Sequence, residues 1–250
     1  TALPDFGTVG DWQIVLIGQF VTGMSRNPIL FKSFMKFAEG HMLANALLCP
    51  DLQSVSKTYG DVTFLLDTPI IIKLLGLEGV EEQQAISELI TLVHKLNGKT
   101  SVFSHTLEEL VNVIRSSSDY VDDQRGRGSI IDEARRSNRS KSDLILIAEH
   151  AEEKIKEFDI SLLSTPPYRD KTHKFEISET IFSSMLEEEI NYYNPKARDY
   201  DIKSVRSIYI IRHGTRPLSI ERCKAVFVTS NSSFAKAAFE YGRENQESQE

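Results

Sequence analysis

Two cysteines, Cys49 and Cys223, are too few to build a disulfide framework or a zinc–cysteine site. Both adjoin apolar residues and read as reduced thiols in or near the core. No apolar run approaches the length of a membrane span, so no membrane is expected as a partner and a cytoplasmic setting is. Ile14 to Ile17 is apolar, but Gln13 and Gln19 flank it, which suits an amphipathic helix better than a signal sequence. Net positive charge is also absent: 29 Lys and Arg stand against 36 Asp and Glu, for a net charge of −7 and a pI of about 5.5. A general coat for nucleic acid would be basic. Contact with nucleic acid would therefore come from a local patch or through metal ions. Of 250 residues, 40% are hydrophobic and 26% charged, which is an ordinary globular balance.

The most informative stretch is Val62-Thr63-Phe64-Leu65-Leu66-Asp67-Thr68-Pro69. Its apolar run alternates too little for a half-wet strand and reads as one buried on both faces, as in a parallel sheet. Pro69 suits the first turn of a helix, where its missing N–H costs nothing. Asp67 thus stands where a buried strand hands over to a helix. Ligands bind beyond such strand ends in open α/β sheets. Asp67 or Thr68 can equally serve as a plain helix cap.

Ahead of this strand, Asp11 to Val21 reads as a helix. Asn27-Pro28 starts another, which runs from Ile29 to Leu48 and ends at Pro50. Residues 1–57 therefore form a helical N-terminal extension, a surface for a protein partner or for a second copy of the chain. His41 within it reads as a surface or packing residue.

Beyond the strand, Glu81 to Leu96 has a helical apolar face and stops at Asn97-Gly98. Thr100 to Phe103 is a second strand. Ser104-His105-Thr106 leads into a helix from Leu107 to Ile114. Thr106 as N-cap with Glu109 three residues on would form a capping box. Near 118–195 the chain turns polar and then helical, with helices expected at Asp143–Phe158 and Ile177–Tyr192, and the region reads as a helical insertion. Within it Arg125, Arg127, Arg135, Arg136 and Arg139 suit either a solvated loop or a phosphate-contacting flap. Gly126-Arg127-Gly128 follows no strand and is no phosphate loop. The core resumes with a helix from Ile202 to Arg212, with Asp199 and Asp201 at its start. Ala225 to Val228 is a third strand, and Thr229-Ser230-Asn231 opens the last helix.

Asp67, Glu109 and Asp201, with Asn231, thus fall at strand–helix junctions that parallel strands gather on one edge. Three carboxylates and an amide oxygen suit a hard cation such as Mg²⁺ or Mn²⁺. The carboxylates are expected to converge closely enough to share it. No Ser-His-Asp pattern accompanies them, and His105, the one histidine near this edge, reads as a helix-start neighbour. A phosphatase-like or nucleotide-processing hydrolase on the same site is a more distant reading.

In order and context these motifs resemble the PIN-domain nuclease superfamily. Phe64-Leu65-Leu66-Asp67-Thr68 is similar to that family's strand ending in Asp-Thr or Asp-Ser. Thr106-Leu107-Glu108-Glu109-Leu110 is similar to its Thr-x-x-Glu-Leu helix start. Asp201 precedes an apolar helix, and Val226-Phe227-Val228-Thr229-Ser230-Asn231 is similar to its last strand ending. The resemblance covers roughly 60–117 and 197–242. It implies a three-layer α/β core with a central, mostly parallel sheet, spanning residues 58–250 apart from the insertion. It further implies a metal-dependent nuclease acting on RNA or DNA, with Asp67, Glu109 and Asp201 as metal ligands and catalytic groups. Asn231 would complete the catalytic set. Thr68 and Thr229 would contact substrate, for which RNA is the favoured class, and the five arginines, outside the resemblance, would join them on the flap reading. Glu108 and Asp199 compete with Glu109 and Asp201. Pro69 and Asn231 depart from the family's usual Asn and Asp, and the second departure weakens a second metal position. A catalytically inactive PIN-like scaffold or protein-binding module is the alternative.

Overall fold

The computed structural model describes residues 11–36, 40, 59–167, 177–190, 192, 194–215, 217 and 219–244. The chain divides into two compact units, Thr1–Lys57 and Thr58–Glu250. The first holds α1 (Asp11–Ser25) and α2 (28–36). Asn27 caps α2, its side-chain oxygen accepting from the backbone N–H groups of Ile29 and Leu30. Phe20 and Phe34 meet edge to face at 5.6 Å. The rest of the expected second helix, with His41, and Cys49 lie outside the described residues. No helix among the described residues is long and apolar enough to cross a membrane.

The second unit is an α/β fold on a four-stranded, all-parallel sheet in the order β3-β2-β1-β4. The chain runs through β1 (Thr63–Leu66), α3 (Thr68–Leu74), α4 (Val80–Lys95), β2 (Lys99–Phe103) and α5 (Ser104–Ser118). It continues through α6 (Ser129–Arg136), α7 (Lys141–Glu149), α8 (Ala151–Lys156) and β3 (Ser161–Leu163). It closes with α9 (Glu179–Glu189), α10 (Pro195–Arg212), β4 (Ala225–Val228) and α11 (Ser232–Glu244). Alternation along the strands sends side chains to opposite faces. Leu66 and Val102 pack with α3, α4, α5 and α7, with Val228 against them. Leu65, Phe103 and Ala225 pack with Ile208 of α10, and Phe227 also joins the cluster of α9 and α11.

Two sequence expectations need correction here. First, β3 lies inside the region read as a helical insertion. Its three residues are exposed, and pairing with β2 makes it a strand. Second, α6 to α8 are not an addition to the core but part of it. Ile130, Ala134, Leu144, Ala148 and Ile155 share one apolar cluster with Leu66, Val102 and Leu110.

Local chemistry explains the junctions. The left-handed residue after α4 is Asn97, with φ of 61°. Gly98 is needed for close approach: a Cβ there would stand 2.8 Å from Val93 and 2.9 Å from Phe64. β1 leads by way of α3 and α4 to β2 on one side, whereas β4, reached from β3, crosses to the other side of β1. The crevice between the carboxyl ends of β1 and β4 is therefore the topological switch point, where open sheets of this kind bind ligands.

Candidate active site

Asp67 sits in that crevice. Its N–H still donates to Val228 as β1 ends, at 3.0 Å, so β4 holds its backbone. One carboxylate oxygen, Oδ1, accepts from the N–H of Thr68 at 2.8 Å and caps α3. The other, Oδ2, accepts from the Thr229 hydroxyl at 2.6 Å. Capping thus uses one oxygen and leaves the second facing β4. Burial pushes the carboxyl above its usual range, and the hydrogen bonds from Thr229 and Thr68 oppose that shift.

Glu109 is not the partner of a Thr106 cap. α5 begins at Ser104, two residues before the expected cap, and its N-cap Phe103 has no side-chain bond to offer. Thr106 is buried in the first turn. Glu109 accepts instead from the hydroxyl of Thr68, so Thr68 links Asp67 to Glu109. Burial raises the Glu109 carboxyl to about 7; the Thr68 bond opposes the rise, and the charge of Asp67 adds to it. Glu108 next to it is exposed.

Asp201 lies nearly two turns inside α10, because that helix starts at Pro195 behind the cap Asn194 rather than at residue 202. Its Oδ2 accepts from the Tyr192 hydroxyl at 2.5 Å. Burial raises this carboxyl to about 7, the Tyr192 bond lowers it, and the charges of Asp67 and Glu109 raise it further. Asp199, the competing aspartate, is exposed. Tyr192 was not singled out in the sequence. It stands in the short connection between α9 and α10, where no pattern marks it. Burial and Asp201, then the charges of Asp67 and Glu109, push its hydroxyl above the usual range.

The three carboxylates therefore sense one another, although they come from a strand end and two different helices. Hard oxygen donors of this kind match Mg²⁺ or Mn²⁺ in chemistry. Their geometry is not the expected ready-made cage. Among the described residues, no three Asp, Glu, His or Cys side chains stand together so that they could hold a metal ion. Each carboxylate is turned toward a hydroxyl: Thr229 for Asp67, Thr68 for Glu109, Tyr192 for Asp201.

Asn231 has a structural duty. Its side-chain oxygen accepts from the N–H of Phe234 at 3.1 Å, capping α11, while its own N–H donates to Thr229 Oγ1 at 3.0 Å. It thereby holds the hydroxyl that serves Asp67.

The five arginines are not brought to this edge. α3 and α5 both run back from it, and the arginines bond to residues beyond their far ends. Arg135 donates to the carbonyls of Tyr120, Val121, Asp123 and Gly126. Arg139 reaches the carbonyl of Gly76 at 2.9 Å. Arg136 pairs with Glu133, Arg125 with Asp123, and Arg127 with the carbonyls of Gln124 and Gly126. Their local role is to shape the loop after α5 and to hold α6 in place.

His105, by contrast, is buried and bonded on both ring nitrogens, to Ser204 and Thr165. No family model matches this chain, and no curated protein or solved structure does either.

Proposed function

We propose that the unit Thr58–Glu250 is a divalent-metal-dependent nuclease with a PIN-like core, hydrolysing phosphodiester bonds of RNA. One observation carries this reading: Asp67, Glu109 and Asp201 share an electrostatic environment at the switch point of a parallel sheet, with two of them raised to about 7. Burial and, to a smaller extent, one another's charge raise these carboxyls, and both effects favour a cation. A bound Mg²⁺ or Mn²⁺ would supply Lewis-acid polarisation of a phosphate oxygen and acidify a water. Asp67, Glu109 and Asp201 would hold it, each turning from its hydroxyl partner. Thr229 and Thr68 orient the first two carboxylates, and Asn231 orients Thr229. In the reaction a water oxygen bonds to phosphorus, the P–O3′ bond breaks, and the 3′ oxygen leaves protonated. A cytoplasmic setting agrees with Cys223, a buried free thiol.

A second reading, a PIN-like scaffold without activity, draws on the hydroxyl partner that each carboxylate already has and on Asn231 serving as a cap.

The experiment is Mn²⁺-dependent cleavage of labelled single-stranded RNA and DNA by the parent chain and by Asp67→Asn, with thermal unfolding alongside. Asparagine keeps the shape and the cap but removes a charge. Cleavage should fall by about 100-fold or more while the fold survives. Equal cleavage by both proteins ends the catalytic assignment. If Asp67→Asn unfolds, Asp201→Asn takes its place. A parent chain that folds and cleaves nothing supports the scaffold.

A further inference from the structure

A cleft of about 580 Å³ lies between α10, β4 and α11. This falls within the range of about 300–1,000 Å³ usual for ligand sites. Thr229 lines it, and Thr229 is also the residue that donates to Asp67. At the other end stand Arg212, which ends α10, and Arg243, near the end of α11. Both helices flank β4, so the cleft follows the strand from the carboxylate edge to the opposite one. Its walls are apolar and aromatic, with Tyr209, Phe227, Phe234 and Phe239 among them. Phe239 is 70% exposed.

Charge selects the occupant. Arg212 and Arg243 are the charged groups among the described lining residues, although the chain as a whole carries −7. The cleft is thus a cationic place on an acidic protein, and an anionic ligand is steered to it.

The edge of β4 adds directional groups. Thr63 donates to the carbonyl of Lys224 and Asp67 to that of Val228, both at 3.0 Å. The period of two along a strand then turns residues 224, 226 and 228 toward β1. Ala225 and Phe227 present their backbone groups to the outer side. Arg212 Nε meets the Ala225 carbonyl at 2.7 Å on that side. Phe227, whose backbone groups lie on that same outer side, lines the cleft.

We infer that this cleft holds a short single-stranded nucleic-acid segment and leads it past Thr229 to Asp67. Bases lie against the aromatic wall, and phosphates face Arg212 and Arg243. The inference rests on the nuclease reading for what happens at Asp67. It also supplies a cationic contact in a cleft continuous with Thr229, whereas the arginines at 125–139 bond to backbone carbonyls, Asp123 and Glu133. The continuity through Thr229 and the cation-only lining favour nucleic acid over an extended peptide.

The test uses the full chain and fluorescein-labelled oligouridylate, read by anisotropy in EDTA so that cleavage plays no part. The variants are Arg243→Glu, Phe239→Ala and Ala238→Trp, the last placed to fill the cleft. Arg243 and Phe239 are exposed, so those two proteins fold as the parent does. The parent should bind, with an affinity that falls as salt rises. Arg243→Glu should weaken binding about tenfold and lower the salt slope by about 0.7, the share of one phosphate contact on a single strand. Phe239→Ala should weaken it about fivefold through lost stacking, and Ala238→Trp should abolish it. No binding by the parent overturns the inference and leaves the cleft to a protein segment. Unchanged affinity and salt slope in Arg243→Glu and Phe239→Ala overturn it as well. Variant-sensitive binding by a parent that cleaves nothing with Mn²⁺ removes the nuclease reading and keeps the cleft. Cleavage with an unchanged KM in all three variants removes the cleft and keeps the nuclease.

Discussion

Nε2 of His105 lies 2.9 Å from the hydroxyl of Ser204. The contact ties the helix that carries Glu109 to the helix that carries Asp201, since each partner stands about one turn from its carboxylate. Nδ1 of the same ring is 2.7 Å from the hydroxyl of Thr165, in the segment after β3. The ring stacks with Phe103 at 5.1 Å and with Tyr200 at 6.4 Å. Burial, then the charges of Lys203 and Arg206, lower its pKa to about 3, so the imidazole stays neutral at physiological pH. A neutral, buried ring held on both nitrogens is a brace and not a general base.

This brace makes the fold sensitive to acid. The pKa is about 3 in the fold against an ordinary 6.5. Between those values the unfolded chain binds a proton that the folded chain refuses, so stability from this group is present above 6.5 and drains away as pH falls toward 3. His105→Gln should lose about 1–3 kcal/mol at neutral pH from the broken contacts, and its stability should then fall less steeply with acid than the parent's. Urea unfolding at a series of pH values measures both. Parallel pH profiles would refute the assignment.

The carboxylates act in the opposite sense. Asp201 is raised from 3.8 to about 7, so its contribution is full below 3.8 and is lost as pH rises through 7. At alkaline pH an ionised Asp201 is held near two other acids. Asp201→Asn should therefore unfold at a higher temperature than the parent under alkaline, metal-free conditions, with the difference closing in acid. Adding Mn²⁺ should raise the parent's unfolding temperature, because a ligand bound only by the folded state stabilises it. The variant should respond much less. A destabilised Asp201→Asn at alkaline pH would contradict the electrostatic picture.

On the metal-dependent reading, Tyr192 would compete with a cation for Oδ2 of Asp201, which its hydroxyl already occupies. Tyr192→Phe removes a charge-assisted hydrogen bond worth about 1.5–3 kcal/mol. Mn²⁺ should bind the variant about tenfold more tightly, as read by calorimetry. Weaker binding would make the tyrosine part of the metal site instead of a competitor.

Arg135 distinguishes a structural loop from a substrate-binding flap. It donates to four backbone carbonyls between Tyr120 and Gly126. Arg135→Ala should cost about 2–4 kcal/mol of stability and leave oligonucleotide affinity and its salt slope unchanged. A lower slope with unchanged stability would restore the flap.

Local sequence determined a good part of this protein. The strands β1 and β4 are short, mostly apolar runs, β2 is a short segment after Asn97-Gly98 ending in Val102-Phe103, and Asp67 with Pro69 announces the start of α3 in its own chemistry. Such features depend on neighbours a few residues away. Other features depend on partners far along the chain, and only the tertiary structure decided them. β3 is a strand because β2 offers it a ladder, not because Ser161-Leu162-Leu163 is apolar on one face. Thr106 and Ser104 both suit a helix start, and the packing of Thr106 in the core put the start at Ser104. The arginines showed their charge in the sequence but not the edge of the sheet at which they stand. His105 finds Ser204 across 99 positions, and Thr229 finds Asp67 across 162. A hydrogen bond is set by position in space, and spacing along the chain carries no record of it until the sheet has brought the segments together.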